Sequence, residues 1–215
     1  RDASMRRPSR LPLEVIINWN DSYAAVAALV LTFTPLAAPA DAQQLVVKPV
    51  VEKRVKELPA GPLYWRIENL PTLAQAQAVA TPTSLAAEVA GKVWLFTLGA
   101  AGGATTGASK VAEIGPVPPM AAQEYLLRIN ESTGAPGAKT PQHTHPGSES
   151  FYVLAGRLGQ KTPEGDHQVE VGGTMTGKGA DTPMEVYSAG STDLHALVMF
   201  VVDAGRPFSS HASIR

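Results

Sequence analysis

The chain has 215 residues, a formal net charge of −1, and 44% hydrophobic, 17% charged and 6% aromatic residues. Near-neutral charge without a long basic block excludes an electrostatic nucleic-acid surface, and so few aromatics argue against a base-stacking platform. The count of zero cysteines excludes a thiolate nucleophile and any cysteine-ligated zinc or iron–sulfur site, while 19 glycines and 18 prolines suit many short strands and turns.

Residues 1–42 read as a secretory signal peptide. Arg1, Arg6, Arg7 and Arg10 make a basic start, an apolar stretch runs over 23–34, and Pro39-Ala40-Asp41-Ala42 offers a small-x-small cleavage site. The apolar stretch is short for a bilayer span. Glu14 and Asp21 are atypical of a leader. The expectation is cleavage after Ala42, a mature chain starting at Gln43, a periplasmic or secreted location, and no stable membrane anchor after processing.

Residues 43–62 mix valine with charge and break at Pro59 and Pro62, which suits an N-terminal arm or an edge strand; Pro49 disfavours a central one. Such an arm is compatible with a homodimer. Residues 63–117 read as strands that extend the main sheet and pack on the barrel that follows. Within them 92–98 is a continuous apolar strand bounded by Gly91 and Gly99, while 74–80 and 84–90 are alanine-rich and ambiguous between strand and short helix. The glycine-rich loop 99–110 lacks a phosphate-loop ending and reads as a flexible connection.

From residue 118 to 204 the punctuation is clearer. A strand starting at Glu124 leads into Gly137-x5-His143-x-His145-x3-Glu149-x6-Gly156. Two histidines one residue apart share a face only on a strand, because a helix would splay them by about 200°. Pro146-Gly147 can turn the chain, and Glu149 opens the apolar run 151–154, so the carboxylate can swing back toward both imidazoles. Two neutral imidazoles and one carboxylate suit Fe(II), and Mn, Ni, Cu or Zn also fit such a set. Residues 158–171 form a hairpin beside which His167 is exposed. Residues 193–202 read as the last core strand, with His195 sharing parity with Leu197 and Met199. The polar tail 205–215, including His211, reads as disordered.

The His-x-His-x3-Glu pattern, with both flanking glycines, resembles the first motif of the cupin superfamily. The resemblance covers residues 118–204. It implies an all-β, cupin-type double-stranded β-helix (jelly-roll) barrel with an N-terminal strand extension. It also implies a divalent transition metal held by His143, His145 and Glu149. The second cupin motif is degenerate. Over 172–186, Gly177 stands in place of a proline, Thr182 in place of the metal-binding histidine, and Val186 in place of an asparagine. Either the two histidines and Glu149 suffice, or His195 or Glu185 fills the gap, or metal binding is lost and a ligand pocket remains. The functional expectation is a metal-dependent enzyme acting on a small organic molecule, by dioxygenase-, isomerase- or decarboxylase-type chemistry. The alternative is a non-catalytic module that binds a sugar or organic acid. No acyl-transfer or paired-carboxylate constellation is present.

Overall fold

The computed structural model describes residues 43–215; the leader expected at 1–42 lies outside them. In chain order the elements are β1 (Val46–Val55), β2 (Tyr64–Leu70), α1 (Leu73–Ala78), β3 (Ser84–Val89), β4 (Lys92–Gly99), β5 (Ser109–Ile114) and β6 (Tyr125–Gly134). Then come β7 (His143–Thr144), β8 (Gly147–Ala155), β9 (Arg157–Thr162), β10 (Gly165–Glu170), β11 (Thr174–Thr176), β12 (Glu185–Ser188), β13 (Leu194–Asp203) and β14 (Ser210–His211). Among the described residues no helix is long and apolar enough to cross a membrane.

The strands form a five-stranded sheet ordered β1-β6-β13-β8-β11, a three-stranded sheet β10-β9-β12, a four-stranded sheet β3-β4-β2-β5 and the ribbon β14-β7. All paired strands are antiparallel. The five-stranded sheet is the middle layer, and β13 shows why. Its residues Ala196, Val198, Phe200 and Val202 enter one core with Phe151 and Val153 of β8, Leu158 of β9 and Val186 of β12. The alternate residues Leu197, Met199 and Val201 enter a second core with Trp65, Ile67, Trp94, Phe96 and Leu98. A strand buried on both faces must be apolar at consecutive positions, which is why 196–202 does not alternate.

The first core is the barrel interior; the second lies between the barrel and the four-stranded sheet. Residues 63–117 therefore do not extend the main sheet, as the sequence suggested, but build a separate one that packs across its back. The physical reason is in β4, where Trp94, Phe96 and Leu98 face the barrel while Leu95 packs beneath Leu70 and Ala76 of α1. The ambiguous segment thus divides into α1, capped by Thr72 accepting from the Gln75 amide at 3.2 Å, and the strand β3. The loop after β4 is pinned: the Thr105 amide and hydroxyl donate to the two oxygens of buried Glu68 at 2.8 and 2.6 Å. The N-terminal segment settles as an edge strand. β1 pairs with β6 alone, and its register slips between Pro49 and Val51, where the proline has no amide to donate.

Candidate metal centre

One face of β6 and β13, the start of β8 and the β7–β14 ribbon enclose a cavity of about 370 Å³ inside the barrel. The even-numbered residues of β6 turn to this side, so Asn130 and Ser132 present polar groups in a wall otherwise made by Phe151, Val198 and Phe200. His143, His145 and Glu149 all line it. The fold brings together the three residues that the motif singles out.

Each is held by a different part of the chain. His143 sits on β7, whose backbone exchanges amide and carbonyl with Met184 at 2.9 and 2.8 Å. Its Nδ1 lies 2.7 Å from the Pro141 carbonyl. His145 follows β7, is buried, and its Nδ1 lies 2.6 Å from the carbonyl of Phe208. A carbonyl oxygen can only accept, so Nδ1 carries the proton on both rings and each Nε2 keeps its lone pair. Holding Nδ1–H on a carbonyl is how proteins fix the tautomer of a metal-ligating imidazole. Glu149 is buried within β8, and its Oε1 accepts from the Gln160 side-chain amide of β9 at 2.7 Å. Its Oε2 lies 3.8 Å from His145 Nε2.

Burial dominates the electrostatics. It pushes the Glu149 carboxyl up to about 8, against the opposing hydrogen bond from Gln160. It pushes the His145 imidazole down to about 4, opposed by the Phe208 carbonyl and reinforced by His143 and Arg128. At neutral pH the 3.8 Å contact therefore joins a neutral imidazole to a carboxylic acid and is not an ion pair. Phe208 packs on His145: its ring centroid lies 4.8 Å from that of His145 at a tilt and 4.9 Å from that of Phe200 edge-on, with the Arg128 guanidinium 4.4 Å above its centroid.

Gly156 and Gly177 are steric necessities. Gly156 has φ +72°, and a Cβ there would lie 2.5 Å from the Asp193 carbonyl. Gly177, which replaces the expected proline, donates its amide to the Glu149 carbonyl at 2.8 Å, and a Cβ would come within 2.1 Å of that oxygen. Proline would both clash and remove the donor.

Two expectations about the gap in the ligand set fail. His195 is on the other face of β13, toward the four-stranded sheet, where its Nε2 pairs with Glu131 at 2.7 Å. Glu185 alternates with cavity-lining Val186 and is bound to Lys139 at 3.2 Å. Thr182 does not line the cavity either. A third correction concerns the tail. Residues 205–215 are not loose: Arg206 grips Asp181 through two bonds of 2.6 and 3.0 Å, and β14 pairs with β7, placing His211 opposite His143 on the cavity wall. The sequence reading missed His211, because a two-residue strand in a Ser/His/Ala tail carries no periodicity.

Two stacked antiparallel sheets thus enclose a cavity into which the motif residues project. This is the all-antiparallel barrel architecture expected from the motif's resemblance to the cupin superfamily. Among solved structures, a cupin-like protein from Thermotoga maritima matches 41% of this chain and 65% of its own length, at a TM-score of 0.37 and 15% identity. An RmlC-like cupin with a double-stranded β-helix fold from Methanocaldococcus jannaschii matches 34% of this chain and 67% of its own, at 0.32 and 16% identity. A DMSP lyase from Ruegeria pomeroyi matches 40% of this chain at 0.35 and 17% identity, and this chain spans only 43% of that lyase. No family model and no curated protein matches the sequence.

The donor types in the cavity, two imidazoles and a carboxyl, are ones that divalent transition metals accept. Among the described residues Glu149 is a buried carboxyl with no Lys or Arg partner, the arrangement a bound dication relieves. The donors are not drawn into one sphere: among the described residues no three His, Cys, Asp or Glu side chains gather closely enough to share an ion. Two ligands at about 2.1 Å from one metal lie ~3.0–3.4 Å apart, so the 3.8 Å between His145 and Glu149 must close by less than an ångström.

Proposed function

We propose that this cupin barrel binds a divalent transition metal through His143, His145 and Glu149 and acts on a small organic molecule in the cavity. The observation that carries the proposal is the pair of Nδ1–H to carbonyl bonds, which leave both Nε2 lone pairs available beside a buried carboxyl. A cavity of about 370 Å³ suits a small molecule rather than a polymer. When bound, the metal would supply Lewis-acid or redox activation of a substrate oxygen. The chain supplies the rest. Asn130 and Ser132 offer hydrogen bonds to a substrate's polar groups, Phe151 and Phe200 provide its apolar wall, Gln160 orients Glu149, and Phe208 shields His145 from water. Export to the periplasm or outside the cell is part of the proposal and is supported by the leader pattern of residues 1–42.

Elemental analysis of natively purified protein tests the reading. About one transition metal per chain is expected, lost in His143→Ala and His145→Ala variants that still fold. A folded, metal-free wild type overturns it. Thr182 in place of a histidine, together with the ungathered donors, favours a second reading in which the cavity binds a sugar or organic acid without turnover. That reading expects thermal stabilisation by such a ligand to persist in EDTA and in both histidine variants.

A further inference from the structure

The metal reading leaves one coordination group unassigned, and the tail strand β14 brings a residue to that place. His211 is the register partner of His143. In the same ribbon the Ala212 amide donates to the Gln142 carbonyl at 3.1 Å, so Gln142 and Ala212 form the hydrogen-bonded pair. His143 and His211, the next pair along, are then non-hydrogen-bonded. This agrees with His143 spending its amide and carbonyl on Met184, on the opposite side of β7. In such a pair the Cα atoms lie about 4.5 Å apart and the two side chains rise from the same face. His145, two residues beyond His143, lines the same cavity. Three imidazoles therefore border one cavity beside Glu149, two from the motif and one from the tail. His211 is exposed and lies on the cavity wall, free to turn on its two side-chain torsions.

The tail is fastened well enough to deliver it. Arg206 is clamped to Asp181, the Phe208 carbonyl holds His145, and the Ile214 amide donates to the Gln142 side chain at 2.9 Å. The loop that carries Thr182 meanwhile holds the backbone of His145, with the Asp181 amide on the His145 carbonyl at 2.8 Å, and Thr182 itself does not line the cavity.

We propose that His211, supplied by the C-terminal strand, is the metal ligand that replaces the histidine absent at Thr182. This rests on the reading of the cavity as a metal site. The probe is Cu²⁺, the divalent first-row ion that binds such donor sets most tightly, added to EDTA-stripped full-length protein. Pulsed EPR counts the coordinated imidazoles. The wild type should show three, and His211→Ala two, with at least about a tenfold loss of Cu²⁺ affinity. His167→Ala, which removes an exposed histidine on the far hairpin, should change neither, and circular dichroism melts check that each variant is folded. An unchanged imidazole count and affinity in folded His211→Ala overturns the assignment while leaving the two-histidine site intact. Failure of the wild type to bind Cu²⁺ in the cavity defeats the assignment and the metal reading together.

Discussion

Replacing Glu149 by glutamine should remove a specific pH dependence of stability in the metal-free protein. In the folded chain the carboxyl titrates at about 8, against an ordinary 4.5, because burial disfavours the charge. Between those values the unfolded chain has released this proton and the folded chain still holds it, so stability falls as pH rises. His145 acts oppositely: its folded value of about 4 lies below the ordinary 6.5, so stability rises with pH between the two. From pH 4.5 to 6.5 the two slopes offset. From 6.5 to 8 Glu149 dominates; with its folded carboxyl half ionised at 8 and the unfolded imidazole half protonated at 6.5, the net fall is about 1.2 kcal/mol. The carboxylates with lowered values, Glu68, Glu113, Glu164 and Asp181, titrate below this window. Urea unfolding in EDTA at pH 6.5, 7.2 and 8.0 should show wild-type stability dropping by about 1.2 kcal/mol while Glu149→Gln stays level or rises by a few tenths. Glutamine keeps an oxygen to accept from Gln160, so the substitution tests the charge rather than the packing. A flat wild-type profile, or an equal drop in the variant, would refute the reasoning. With Zn²⁺ present the wild-type slope should reverse, because binding requires the carboxylate and releases its proton.

Gly177→Pro should cost at least about 3 kcal/mol in urea melts, since it removes the bond to the Glu149 carbonyl and forces a ring against it; a change within about 0.5 kcal/mol would show the contact to be soft. Gln160→Leu deprives the buried carboxyl of the side-chain amide that donates to it, so the decline in stability should extend above pH 8, read in the same titration. Phe151→Ala, emptying a fully buried position of the barrel core, should cost about 3–5 kcal/mol by equilibrium denaturation. His195→Ala should leave metal content unchanged in elemental analysis, because its partner is Glu131 on the outer face.

Legibility followed the chemistry. His143, His145 and Glu149 stood out because residue type and spacing together make one motif, and all three line the cavity, while β8 and β13 announced themselves by their apolar runs. The face of β13 that lines the cavity was hidden, since both faces are apolar and His195 shares parity with Leu197 and Met199 in the wrong core. Residues 63–117 were legible as strands but not as a separate sheet, because alternation reports burial and not which neighbour does the burying. Helix α1 had a readable signal in Thr72-x-x-Gln75, the pattern of an N-terminal cap. Gly177 looked like decay of a motif, whereas its backbone approach to Glu149 requires it. His211 carried no local signal, because its position depends on pairing with a strand far along the chain.

X-ray diffraction at the absorption edge of the metal carried by the native protein tests the central claim most directly. One anomalous peak is expected in the cavity, about 2.0–2.2 Å from an imidazole Nε2 of His143 and of His145 and from an oxygen of Glu149. A well-ordered cavity with no peak, or a peak bound only by residues elsewhere, would contradict it.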